Sequence, residues 1–184
     1  EVVGRVAVTI EHCLSALQMQ QAQARAPDQL NAWENYQRGR ALLASRHCAN
    51  LHRARDFFER AIATDQTFAR AQAGKALALY ELYDRDIAGD LDKQRMRIRQ
   101  EARKAVQIDP DDPLCHIALS CGTRIFGDPD GGLAALERAT ALCPNSTRAL
   151  GDMAYFQASI GQLAEARRNL GLAMELNPYD PAPG

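Results

Sequence analysis

Apolar and small residues recur along this chain at three- and four-residue intervals, interrupted at regular places by short polar stretches that carry proline or glycine. Val3, Val6, Ile10, Cys13/Leu14 and Leu17 share one helical face, as do Ile98, Ala102, Ala105 and Val106, and as do Leu114, Ile117, Ala118, Cys121 and Ile125. The punctuation divides the chain into helices expected near residues 1–25, 30–45, 50–64, 67–83, 91–108, 113–125, 129–142, 146–160 and 163–176. Asp112-Pro113 and Asp128-Pro129 each set a capping carboxylate before a proline at the first helical position, where the missing amide donor costs nothing. Asn145-Ser146 and Thr67 are placed to accept from the free amides of the helices that follow, and Pro110, Pro144 and Pro178 stand where the preceding helices should stop.

Composition points the same way. There are 32 alanines and 20 leucines against 19 valines, isoleucines and threonines together, so helix-favouring side chains dominate and an all-α fold is expected. With 24% charged and 46% apolar residues, the 184-residue chain is neither disordered nor a disulfide-stapled mini-protein. The formal net charge of -1 supplies no general attraction to nucleic acid or to an anionic membrane. Apolar runs are only a few residues long, so no membrane span is expected. Five scattered cysteines, an odd number, fit reduced thiols better than a disulfide framework. With no leader-like pattern at Glu1-Val2-Val3-Gly4, which reads as the start of a fragment, the expected location is cytoplasmic.

The decisive pattern has a longer period. Pro110, Pro144 and Pro178 are separated by 34 residues and again by 34. Five residues before each proline stand Ala105, Ala139 and Ala173; two before stand Ile108, Leu142 and Leu176; eight before stand Ala102, Leu136 and Leu170. Leu119-Ser120 and Met153-Ala154 form another matched pair of columns, and Gly127 and Gly161 lie 34 apart, where a turn between two helices needs a residue that tolerates positive φ. The small columns, to which Ala61 belongs, let neighbouring helices approach while leucine and phenylalanine fill the space beside them.

These residues resemble the tetratricopeptide repeat family, whose unit is a helix-turn-helix. The match is strongest over Thr147 to Asp180, with Leu150, Met153, Ala154, Gly161, Ala166, Leu170, Ala173 and Pro178, and continues in Pro113 to Ser146. An earlier unit carries Ala54, Phe58 and Ala61, with Gln66 where the family prefers proline; the next holds about ten extra residues near Tyr83 to Gln94. The resemblance implies a right-handed α-α superhelix of about four units, approximately 30–68, 69–112, 113–146 and 147–180, preceded by an N-terminal amphipathic helix and linker (1–29) and followed by a tail (181–184).

It also implies a concave groove lined by the first helix of each unit, where a protein or peptide partner docks. Carried over by position, the groove residues are Tyr36 and Arg40; Arg70, Leu77, Tyr80 and Glu81; Leu114, Ile117, Cys121 and Arg124, with Ile125 beside them; and Arg148, Asp152, Tyr155 and Ser159. The Leu114–Ile125 stripe has two readings, ordinary core or an apolar floor for an amphipathic peptide or for the chain's own first helix. That first helix either caps the first repeat or enters the groove. The Lys/Asn clamp that some family members use for C-terminal carboxylates is not matched, so chaperone binding is not inferred.

Other chemistry is thin. Arg95, Arg99 and Arg103, within the run from Lys93 to Lys104, form a basic stripe best read as a solvated face, with no nucleic acid expected to bind it. His47-Cys48-x3-His52 and Cys115-His116-x4-Cys121 lack a paired zinc signature, and Gly127 to Gly132 lacks the later ligands of a calcium loop. No metal, cofactor or catalytic site is expected, because no P-loop, nucleophile elbow or dinucleotide fingerprint occurs. The run Asn31 to Arg40 is similar to the C-terminal repeat regions of bacterial proteins with an upstream class III nucleotide cyclase or winged-helix DNA-binding domain. Two functions follow from different classes: a protein-interaction scaffold, or a domain that senses a ligand or signal peptide and controls an attached output domain. The face around Leu163, Leu170 and Met174 is a candidate for self-association as a homodimer.

Overall fold

Among the described residues, each helix end falls within two residues of its expected position in the computed structural model, which describes residues 31–45, 47–83, 85 and 90–177. The described helices are α1 (Ala32–Ala44), α2 (Cys48–Thr64), α3 (Ala69–Tyr83), α4 (Leu91–Ile108), α5 (Pro113–Arg124), α6 (Pro129–Leu142), α7 (Thr147–Ser159) and α8 (Leu163–Leu176). The described residues hold no strand. The helix expected over 1–25, Pro178 and the tail fall outside the described residues.

The caps show why the helices begin where they do. Asn31 and Glu34 form a capping box: the Glu34 amide donates to Asn31 Oδ1 at 2.9 Å, and the Asn31 amide donates to Glu34 Oε2 at 3.0 Å. Asp112 accepts from the Leu114 amide, Asp128 from the Gly131 amide and Ser146 from the Ala149 amide, each satisfying a donor the helix itself cannot. Thr67 departs from expectation. Its amide and hydroxyl both donate to Asp65 Oδ1, at 2.9 and 2.7 Å, so its side chain stabilises the preceding turn and does not cap α3.

Four helix ends share one geometry. After Ala61, Ala105, Ala139 and Ala173, the residue four positions on leaves the helix at φ between -143° and -138° while its amide still donates to that alanine's carbonyl, at 2.9–3.1 Å. All four alanines are buried. Gly127 (φ 68°) and Gly161 (φ 85°) make the α5–α6 and α7–α8 turns, a left-handed conformation that a Cβ would strain.

Helices pair as α1–α2, α3–α4, α5–α6 and α7–α8 hairpins, and consecutive hairpins stack so that α1, α3, α5 and α7 also touch in series. Two buried clusters run through the stack. One gathers Tyr36, Ala54, Phe58 and Ala61 with α3 alanines, and the other extends from α3 to Met153 and Phe156 of α7. α5 is hemmed in by α3, α4 and α6, with α7 at its edge. Its Ile117, Ala118 and Cys121 are therefore buried in the core cluster, which accounts for this part of the stripe by packing, while Leu114 and Ile125 are half-buried.

α8 has no described helix beyond it. Leu163 (67% exposed), Leu172 (44%) and Met174 (54%) stand at the surface among the described residues. No described helix is long and apolar enough to cross a membrane.

Candidate functional site

Because α3, α5 and α7 lie side by side, residues three or four apart on each helix converge on a shared concavity of about 180 Å3. Tyr80 and Glu81 come from α3, Cys121 and Arg124 from α5, and Arg148, Asp152 and Tyr155 from α7. Seven of the groove residues expected from sequence thus meet at one place. Arg85, Ser120, Leu136 and Phe156 complete the lining. Arg85 carried a readable signal, its four-residue spacing from Glu81 on the end of a helix. Leu136 and Phe156 carried none that separates a lining residue from core.

At the centre, the Arg124 guanidinium lies over two aromatic rings, 4.9 Å from the Tyr80 centroid and 4.8 Å from that of Tyr155. The cation thereby ties α3 to α7 across α5, a contact in which ring quadrupoles attract the charge. The neighbouring arginines are committed to carboxylates. Arg85 Nη1 donates to the Glu81 carbonyl at 2.6 Å and to Glu81 Oε2 at 2.7 Å, and Arg148 Nε donates to Asp152 Oδ2 at 2.7 Å. The Asp152 carboxylate raises the Arg148 pKa above its ordinary value. The Arg124 guanidinium makes no hydrogen bond or ion pair among the described residues, and only its backbone carbonyl accepts, from the Gly127 amide at 2.9 Å. Cys121 forms part of the floor, and burial, reinforced by Asp152, pushes its thiol up to about 12, so it stays protonated and unreactive near neutral pH.

The remaining expected groove residues lie elsewhere. Tyr36, Leu77 and Ile117, each 2% exposed, face the core, so they position helices and leave no surface for a partner. Leu114 is partly buried against both clusters. Arg40 sits 5.9 Å from the Tyr36 ring centroid, and its Nη1 donates to Gln37 Oε1 at 3.3 Å. Arg70 Nε donates to Asp112 Oδ2 at 2.5 Å beside a separate concavity lined by Trp33 and Phe68. Ser159 is spent on the end of α7, its hydroxyl donating to the Phe156 carbonyl at 2.6 Å. The direction of each side chain around its helix axis, which sequence spacing fixes only to within a residue, separates these from the seven that converge.

No group of three or more histidine, cysteine, aspartate or glutamate side chains within the described residues is arranged to hold a metal ion. His116 Nε2 lies 2.8 Å from the Pro110 carbonyl oxygen, and Cys115 is fully buried. Of the basic stripe, expected as a solvated face, Arg95 donates to the Tyr83 hydroxyl at 2.6 Å and Arg99 covers the Phe126 ring, while Arg97 of the same basic run pairs with Glu59 at 3.4 Å. Those arginines clamp α4 to its neighbours.

No protein-family profile matches the chain, and no curated protein is similar to it in sequence. Solved structures are similar in fold. TTC0263, a thermophilic TPR protein of Thermus thermophilus, is 18% identical with a TM-score of 0.68, the match covering 97% of this chain and 90% of that one. The human IFIT1 dimer solved with m7Gppp-AAAA is 24% identical with a TM-score of 0.67, covering 84% of this chain and 32% of IFIT1, so the chain spans about a third of that protein's length. MamA from Desulfovibrio magneticus RS-1, residues 41 to the end, is 15% identical with a TM-score of 0.56, covering 91% of this chain and 97% of that one. The chain has the tetratricopeptide-repeat fold, the architecture the 34-residue period leads one to expect.

Proposed function

We propose that this chain is a non-catalytic scaffold that docks a protein or peptide segment in the concavity between α3, α5 and α7. The observation that carries the reading is Arg124 held between Tyr80 and Tyr155 at a concave surface, with Tyr155 59% exposed. Tyrosine and arginine concentrate interface energy because they offer large rigid area with a polar edge. The test is selection of random peptides on the whole chain. Binders whose affinity falls at least about tenfold in Tyr155→Ala support docking at this surface, whereas binders indifferent to Tyr155 and Arg124, or none, refute it.

In its finer form the reading makes the chain the C-terminal regulatory part of a larger bacterial signalling or transcription-regulating protein, located in the cytoplasm. The likeness of Asn31 to Arg40 to repeat regions downstream of class III cyclase or winged-helix domains supports it. Free thiols at Cys48, Cys115, Cys121 and Cys143 suit a reducing compartment. The alternative, a sensor of a small ligand or signal peptide, gains ground if a metabolite binds saturably in the same concavity. IFIT1 was solved with m7Gppp-AAAA, but here the facing sides of Tyr80 and Tyr155 are covered by Arg124, which leaves no open platform between them for a base.

A further inference from the structure

We propose that the docked segment presents a single aspartate or glutamate carboxylate to the guanidinium of Arg124. This rests on the docking reading above and names the chemistry that the docking site selects.

Among the described residues, three arginines and two carboxylates line the concavity, and four of these five groups pair off as Arg85 with Glu81 and Arg148 with Asp152. The remaining charge is Arg124. Its Cζ lies 4.9 Å from the Tyr80 ring centroid and 4.8 Å from that of Tyr155, and no acceptor among the described residues takes a hydrogen bond from its guanidinium. A guanidinium carries five N–H donors, and attraction of its charge to the two rings does not spend them on an acceptor, so they remain available to a ligand. A carboxylate is the planar acceptor that meets two such donors side by side.

The charge count sets the valence of the ligand. One net positive charge is neutralised by one carboxylate, while a string of phosphates would run against Glu81 and Asp152 on the flanking walls. A partner lysine or arginine would instead meet Arg124 head-on. The site therefore discriminates against both polyanions and cations through groups already in place.

The test compares fluorescein-labelled randomised peptide pools that differ only in a fixed central residue, Glu, Gln or Lys, together with labelled oligouridylate, by anisotropy on the whole chain. The Glu pool is expected to bind at least about tenfold more tightly than the Gln pool, the Lys pool to bind weakest, and the Glu advantage to vanish in Arg124→Gln. Equal Glu and Gln binding that still depends on Tyr155 overturns the carboxylate proposal and leaves peptide docking standing. Failure of every pool overturns both, as does oligouridylate binding more tightly than the Glu pool. If Arg124→Gln does not fold, the Arg124 Nε–Hε resonance of the unmutated chain provides the readout. It should shift on titration with acetyl-Ala-Glu-Ala-amide and not with acetyl-Ala-Gln-Ala-amide; identical responses overturn the proposal.

Discussion

The Phe58 ring fills the space that a side chain on Gly74 would need: a Cβ there would lie 2.5 Å from Phe58 Cε1. On its other side a Cβ at Gly39 would come within 2.6 Å of the same atom. The ring is fully buried between α1 and α3, so the first two hairpins meet through one phenylalanine seated on two glycines. Gly74→Ala is expected to overpack this junction and destabilise the fold by about 1–3 kcal/mol. Phe58→Ala leaves a cavity and costs about 3–5 kcal/mol. Urea unfolding midpoints measure both, and an unchanged midpoint for Gly74→Ala would show that the ring can step aside.

Asp112 uses both carboxylate oxygens, one to cap α5 through the Leu114 amide and one to accept from Arg70 of α3. The two roles separate by substitution. Asp112→Asn keeps a capping oxygen and loses the ion pair; with Arg70 45% exposed, that pair is screened and the expected loss is under about 1 kcal/mol. Asp112→Ala also loses the cap and is expected to cost about 1–2 kcal/mol. Equal destabilisation by the two variants, measured by denaturant titration, would contradict this division.

Two buried thiols make the fold sensitive to alkali. Burial, with Asp112 adding to it at Cys115 and Asp152 at Cys121, raises both from the ordinary 9.0 to about 12. In the unfolded chain they ionise first, so above about pH 9 the unfolded state binds fewer protons than the native one and stability falls with rising pH. Their contribution is complete below about pH 9 and is lost progressively toward about pH 12. Burial of Tyr36 acts in the same direction. Urea midpoints measured from about pH 8 to about pH 11 should decline, with a shallower slope in Cys121→Ser.

Thiol accessibility gives an independent check on the same packing. Cys48 is exposed, while Cys115 and Cys121 are buried. Peptide mapping after brief treatment with iodoacetamide near neutral pH should find Cys48 alkylated well before the other two. Comparable labelling of Cys121 would mean that the floor of the concavity opens readily.

Self-association through α8 is a further proposal. Leu163, Leu170 and Met174, with Leu172 beside them, supply the exposed apolar surface, and the expected outcome is a concentration-dependent rise in mass by light scattering that Leu163→Glu combined with Met174→Glu abolishes. A monomer at high concentration would remove it.

Much of the fold was legible because each local signal agreed with its neighbours. Asp112-Pro113, Asp128-Pro129 and Ser146 start their helices as the sequence indicates, and Gly127 and Gly161 turn between them at positive φ. Gln66, which breaks the proline column, leaves the handover intact because Asp65 Oδ1 accepts the Thr67 amide, as Asp109 Oδ1 accepts the Asp111 amide ahead of α5. Thr67 was misread because a hydroxyl near a helix start can serve either the turn or the helix, and the choice rests on backbone geometry that composition does not encode.

Sequence by itself determined the helices, their 34-residue recurrence and the small-residue columns, since these depend on propensity, capping and periodicity within about one turn of chain. Tertiary structure alone decided which polar groups face one another. Tyr80, Arg124 and Tyr155 belong to three helices far apart in sequence, and their convergence depends on the rotation of each helix about its axis. The same rotation carried Tyr36, Leu77 and Ile117 into the core. A shift of one residue turns a helical side chain by about 100°, enough to exchange groove for core, and only the packing of whole hairpins fixes that angle.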